Sequence, residues 1–181
     1  TIVTDFQLYT MDGSHYGQTT EDSVYYRFNS TMRSRQPSEV ELWADFARII
    51  DSALDKLPPQ EVTVYRGFHV SLTQVSHEFQ QGKVVWLVSV TSATTHEKWT
   101  LKLFGSGSCS SPGTLTKMHA LSAEDIKAFS VIPAESELVF SLNTCLSIER
   151  VVTWQQLMSV QRLIQHLPEN VDLIVARQQR V

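Results

Sequence analysis

Cysteine is nearly absent from this chain. Cys109 and Cys145 are the only two among 181 residues. Two are too few for a disulfide scaffold, and no histidines stand at ligand spacing to complete a zinc site with them. The pair allows one bridge or two free thiols. His69 and His119 also lack a cysteine or carboxylate partner at metal spacing, so no metal is expected. A basic excess is missing too. Fifteen Lys and Arg against nineteen Asp and Glu leave a net charge of −4, whereas a nucleic-acid partner wants a basic face. No apolar run approaches the ~18–20 residues of a membrane span. The opening Thr1-Ile2-Val3-Thr4-Asp5-Phe6 has neither the basic region nor the apolar stretch of a leader, and without an initial Met it is expected to be a trimmed or mature form. No G-x-G-x-x-G or G-x-x-x-x-G-K motif occurs, and βαβ units do not alternate, which argues against Rossmann and P-loop nucleotide sites. No internal repeat or low-complexity segment stands out.

What is present suits one globular domain with a sizeable core, 42% hydrophobic over residues 1–181. Residues 1–60 read as helical. Val24, Phe28 and Met32 recur at four-residue spacing within 21–33. Ser38 and Glu41 form a capping-box pattern ahead of an apolar face through Leu42, Phe46, Ile49, Ala53 and Leu57, with Ile50 beside it, and Pro58-Pro59 stops the helix. Residues 61–181 read as mostly β. Strands are expected at 61–67, 83–94 (begun as a buried strand), 114–118, 138–140 and 147–152, with a last edge strand at 171–175. Short helices are expected at 71–81, capped by Ser71 and Gln74, and at 153–167, capped by Thr153 and Gln156. A helical turn is expected at 122–129, and 105–113 is a loop by composition. Helices first and strands after point to an α+β fold with a mixed or antiparallel sheet.

Three short patterns follow one another along this β region. Val64-Tyr65-Arg66-Gly67 places an arginine at the end of a strand. Val90-Thr91-Ser92-Ala93-Thr94 places hydroxyls at the end of a second, with Ser92 lying 26 residues beyond Arg66. Glu135-Ser136-Glu137 opens a third, 45 residues beyond Ser92 when counted to Glu137. On an extended strand Glu135 and Glu137 share a face about 6.5–7 Å apart, whereas a helix would send them to nearly opposite sides. Taken singly, each pattern is more often bland: a surface arginine, a turn serine, an acidic turn. The order of the three carries the signal.

That order resembles the Arg–Ser–Glu signature of the mono-ADP-ribosyltransferases, the group of vertebrate ecto-transferases and binary clostridial-type toxins. Tyr26-Arg27-Phe28-Asn29-Ser30-Thr31-Met32-Arg33 resembles the family's Y-x-x-L-N-x-x-L-R helix, and Met118-His119-Ala120-Leu121-Ser122 the stretch before its acidic motif. The resemblance spans residue 9 to about 152. It implies a split β-sandwich core with N-terminal helices packed on it, NAD as substrate and a protein partner with an arginine acceptor. Arg66 would hold the NAD pyrophosphate and nicotinamide-side ribose, and Gly67 would offer its backbone to the nicotinamide amide. Ser92 would order the catalytic glutamate, Glu137. Glu135 is the position that accompanies arginine acceptors, and Phe129 sits where a loop aromatic meets the protein substrate. Trp99 and Phe104 compete for the aromatic that folds over nicotinamide. The family's S-T-S appears here as Ser92-Ala93-Thr94. The compartment stays open, with the resemblance leaning to a secreted setting. Rival readings are an NAD glycohydrolase with the same site, a degenerate NAD- or protein-binding module, and a glycosidase, whose acids normally come from separate strands.

Overall fold

Pro37 lacks an N–H, which is no loss at the first position of a helix, and α2 (Pro37–Leu42) starts there with Gln36 as its N-cap. The box expected at Ser38 therefore starts two residues inside the cap. In this computed structural model the residues described are 6, 7, 9–11, 19–98, 100, 101, 112–130, 136–159, 167, 168 and 170–180. The chain divides into two compact units. The first takes Thr1–Gln60, Leu87–Ser92 and Ser122–Thr144, and the second Glu61–Trp86, Ala93–Leu121 and Cys145–Val181.

The helices that precede the strands belong to the first unit. In α1 (Val24–Ser34) Phe28 and Met32 are buried at the expected spacing, together with Asn29. The single helix expected over 38–57 is two, because the chain leaves helical dihedrals at Trp43 (φ −102°, ψ 2°) before α3 (Ala44–Leu54) resumes. The physical reason is aromatic packing. Trp43 lies with Phe28 and Phe46, at ring-centroid separations of 5.6 Å for Phe28–Trp43, 5.1 Å for Phe28–Phe46 and 5.6 Å for Trp43–Phe46. The break also moves the buried face. Leu42 is 84% exposed and Ile49 46%, while Ile50, Ala53 and Leu54 are enclosed. These pack with Phe6, Tyr9, Val90, Ile126 and Val139 into one core.

Seven strands follow: β1 (Pro59–Phe68), β2 (Val84–Leu87), β3 (Thr91–Thr94), β4 (Gly113–Asp125), β5 (Glu137–Phe140), β6 (Thr144–Val152) and β7 (Val171–Gln178). They form a mixed sheet in the order β1-β3-β5-β4-β7-β6-β2, giving the α+β class that was expected. Three expectations change. The buried strand at 83–94 is two strands, and Val84 and Trp86 of β2 are exposed because β2 is the last strand of the order. Residues 122–125 continue β4 in place of a helical turn and pair with β5, Glu124 opposite Val139. β7 is an interior strand, parallel to β4 and antiparallel to β6.

In the second unit one sheet face buries Met118, Ile148 and Ile174, and the other carries the cluster of Leu115, Val171 and Leu173. Asp172 ties two short helices to this sheet. Its carboxylate accepts the N–H of Leu72 at 2.9 Å, at the start of α4 (Leu72–Val75), and that of Trp154 at 2.7 Å, at the start of α5 (Trp154–Ser159). The two expected caps are present. Ser71 N–H donates to Gln74 Oε1 at 3.0 Å, and Thr153 N–H to Gln156 Oε1 at 2.9 Å. The rest of the expected helix, residues 160–166, lies outside the described residues.

Candidate active site

Arg66 and Gly67 stand at the end of β1 in the second unit, both half-buried. Strand alternation puts Arg66 on the same face as Phe68, and the guanidinium carbon lies 5.3 Å from that ring's centroid. Such a stack fixes a guanidinium plane. β1 pairs antiparallel with β3, Tyr65 opposite Thr94. The Thr94 hydroxyl accepts the N–H of His96 at 3.2 Å, so the hydroxyl that replaces the last serine of S-T-S here shapes the turn after the strand.

Ser92 and Glu137 fall in the first unit, on β3 and β5, which are neighbours in the sheet order. Both are half-buried, and on β3 Ser92 alternates with the buried Thr91 and Ala93. Glu137 is the first residue of β5, and Ser136 before it has φ +48°, a left-handed value. The extended geometry expected across Glu135-Ser136-Glu137 therefore ends at Ser136, so the shared-face argument for the two acids does not hold. Glu135 itself lies outside the described residues, as do Trp99 and Phe104. The Glu137 carbonyl accepts the N–H of Ile126 at 3.2 Å. Phe129, expected to face a substrate, sits with its ring 5.7 Å from that of Phe6 and packs against the core of its unit.

Two polar arrangements in the first unit carry no local sequence signal. Asn29, on the helix that resembled the family's, donates to the Tyr9 hydroxyl at 2.9 Å, and that hydroxyl reaches the carbonyl of Val90 at 3.5 Å, one residue before β3. Glu124 is 7% exposed on β4, and its Oε2 has no partner among the described residues. Burial pushes its carboxyl up to about 7, opposed by a hydrogen bond from its own backbone and reinforced by Asp55 and Asp51. Asp51 is also raised, first by burial, with the backbone of Leu142 opposing and Asp55 adding.

No protein-family model matches the chain, and no curated protein matches it by sequence. Solved structures do. The Vis toxin, an ADP-ribosyltransferase from Vibrio splendidus, superposes with a TM-score of 0.63 at 21% identity, over 99% of this chain and 73% of that one. The ADP-ribosyltransferase HopU1 of Pseudomonas syringae pv. tomato gives 0.69 at 19%, over 98% and 76%. The fold is that of the ADP-ribosyltransferases. The catalytic domain of VahC from Aeromonas hydrophila matches end to end, 99% of both chains, at 17% identity and a TM-score of 0.64. Within the ADP-ribosyltransferase fold of this chain, sequence reasoning missed Tyr9 and Glu124, since a buried hydroxyl or carboxylate shows itself only once its neighbours are placed.

Proposed function

We propose that this chain transfers ADP-ribose from NAD to an arginine side chain of a protein, releasing nicotinamide. The observation that carries the reading is the order of Arg66, Ser92 and Glu137 along a chain whose fold is shared with named ADP-ribosyltransferases. One of the matching structures is Vis in complex with agmatine, a guanidine compound, which supports the choice of a guanidinium acceptor.

The side chains present fit NAD by their chemistry. Arg66 offers a bidentate fork to the pyrophosphate, and Gly67 lets a ring amide approach its backbone. Ser92 holds the Glu137 carboxylate, which receives the ribose hydroxyl and stabilises the positive charge that grows on the sugar as the bond to nicotinamide breaks. The bonding electrons leave with neutral nicotinamide, so no acid is needed on that side. A guanidinium is protonated and a poor nucleophile. Glu135 orients it and takes its proton as the new carbon–nitrogen bond forms.

Incubation with labelled NAD and agmatine or polyarginine tests this. The expected product is the ADP-ribosylated guanidine with free nicotinamide. Free ADP-ribose alone would replace transfer by hydrolysis, and no turnover would leave a binding module.

A further inference from the structure

The second unit holds a cavity of about 380 Å³ that the proposed chemistry does not employ. Its floor is one face of β4, β7 and β6, and the register of these strands sorts the side chains into two rows. Leu115, Leu173 and Val152 form one row, with Leu115 opposite Leu173 and Leu173 opposite Val152. Lys117, Val175 and Arg150 form the other, with Lys117 opposite Val175 and Val175 opposite Arg150. The rows are two residues apart, about 6.5–7 Å, and the two cations stand two strands apart, about 10 Å. The apolar row is deep, with Leu115 1% and Leu173 8% exposed, while Lys117 and Arg150 are exposed. Leu157 of α5 and Leu167 line the cavity above the floor, and Tyr65 and Glu97 complete its wall.

The cations are not consumed internally. Among the described residues neither Lys117 nor Arg150 belongs to an ion pair, although Lys117 Nζ lies 6.0 Å from the Tyr65 ring centroid. Glu97 contributes one negative charge to the wall, leaving the lining at +1. The volume falls within the range of small-molecule sites, which pair an apolar lining with a few placed polar groups.

We propose that this cavity binds an amphipathic anion, an alkyl carboxylate whose head lies at the Lys117–Arg150 row and whose chain covers Leu115 and Leu173 beneath Leu157. A carboxylate head suits the cation row, and an apolar chain suits the leucine and valine lining beside it. The site does not depend on the reading of the enzymatic activity.

Calorimetric titration of the whole chain with decanoate, decanol and decyltrimethylammonium tests it, with hexanoate for chain length. Decanoate is expected to bind, hexanoate more weakly, and the cation not at all. Replacing both Lys117 and Arg150 by Ala should weaken decanoate by about tenfold or more. Leu157→Trp, which fills the cavity from above, should weaken it with both cations intact. Equal affinity for decanol and decanoate, or unchanged binding in the double variant, would overturn the proposal. Capture by phosphatidylglycerol vesicles without binding of free decanoate would also overturn it, in favour of a bilayer contact. Circular dichroism of the variants separates lost binding from lost folding.

Discussion

The backbone N–H of Ile126 donates to the carbonyl of Glu137 at 3.2 Å. The residue that follows β4 is thereby tied to the first residue of β5. Phe129 N–H closes the opening turn on the Ile126 carbonyl at 2.8 Å, and its ring rests on Phe6. The turn that follows β4 is thus anchored to the core of its own unit.

Glu137→Gln is expected to lower transfer by roughly a hundred- to thousand-fold, the usual loss when one preorganised electrostatic contact to a developing charge is removed. Glu135→Gln should remove transfer to agmatine while leaving NAD hydrolysis largely intact. Nicotinamide release and agmatine labelling, measured in parallel, check both. Equal loss of the two activities in Glu135→Gln would sink the division of labour.

Ser136 holds a left-handed backbone without being glycine. A β-branched side chain is poorly tolerated there, so Ser136→Val should cost about 1–2 kcal/mol of stability. Ser136→Gly should be neutral or mildly stabilising. Urea midpoints of the two variants, read against the parent, decide the matter.

The raised Glu124 carboxyl makes stability depend on pH in a defined direction. A carboxylate whose folded value lies above its unfolded value favours the fold while protonated. Its contribution is complete below about 4.5 and is lost as pH rises towards about 7. Glu124→Gln removes that titration. The parent should therefore lose stability relative to this variant between pH 5 and 7, with the difference constant above about 7.5. Parallel melting-temperature curves across that window would contradict the assignment.

Asp172 serves two helix starts with one carboxylate. Asp172→Ala should cost on the order of 2 kcal/mol, since each lost cap is typically worth about 1. Asp172→Asn keeps one acceptor oxygen and should fall between the two. Denaturant unfolding followed by Trp154 fluorescence reads this directly.

How much of this was legible depends on the range of each interaction. That Arg66, Ser92 and Glu137 lie on strands was legible because the apolar and β-branched residues around them form local patterns. Ser71–Gln74 and Thr153–Gln156 were legible as caps because a capping box closes within four residues. The helix face was misdrawn because periodicity alone cannot place the break at Trp43, which depends on Phe28 from another helix. That face ran through Leu42, which the break leaves in solvent. Glu124 looked like any acidic residue after a small one, and what makes it unusual is burial by the rest of its unit, reinforced by Asp55 and Asp51 from elsewhere in the chain. The tie between Tyr9, Asn29 and Val90 spans more than eighty residues and has no local trace.

β7 sits between β4 and β6 although it comes last of the seven. A nascent chain that has reached residue 170 holds two strands awaiting the same partner, both with unpaired edges. Pairing β4 with β7 in parallel joins residues far apart in sequence, which is slow and leaves those edges open to other chains meanwhile. Folding of the second unit therefore waits for the arrival of residues 171–178. Chains interrupted before that segment are expected to collect in the insoluble fraction even though they retain every residue of the Arg–Ser–Glu signature.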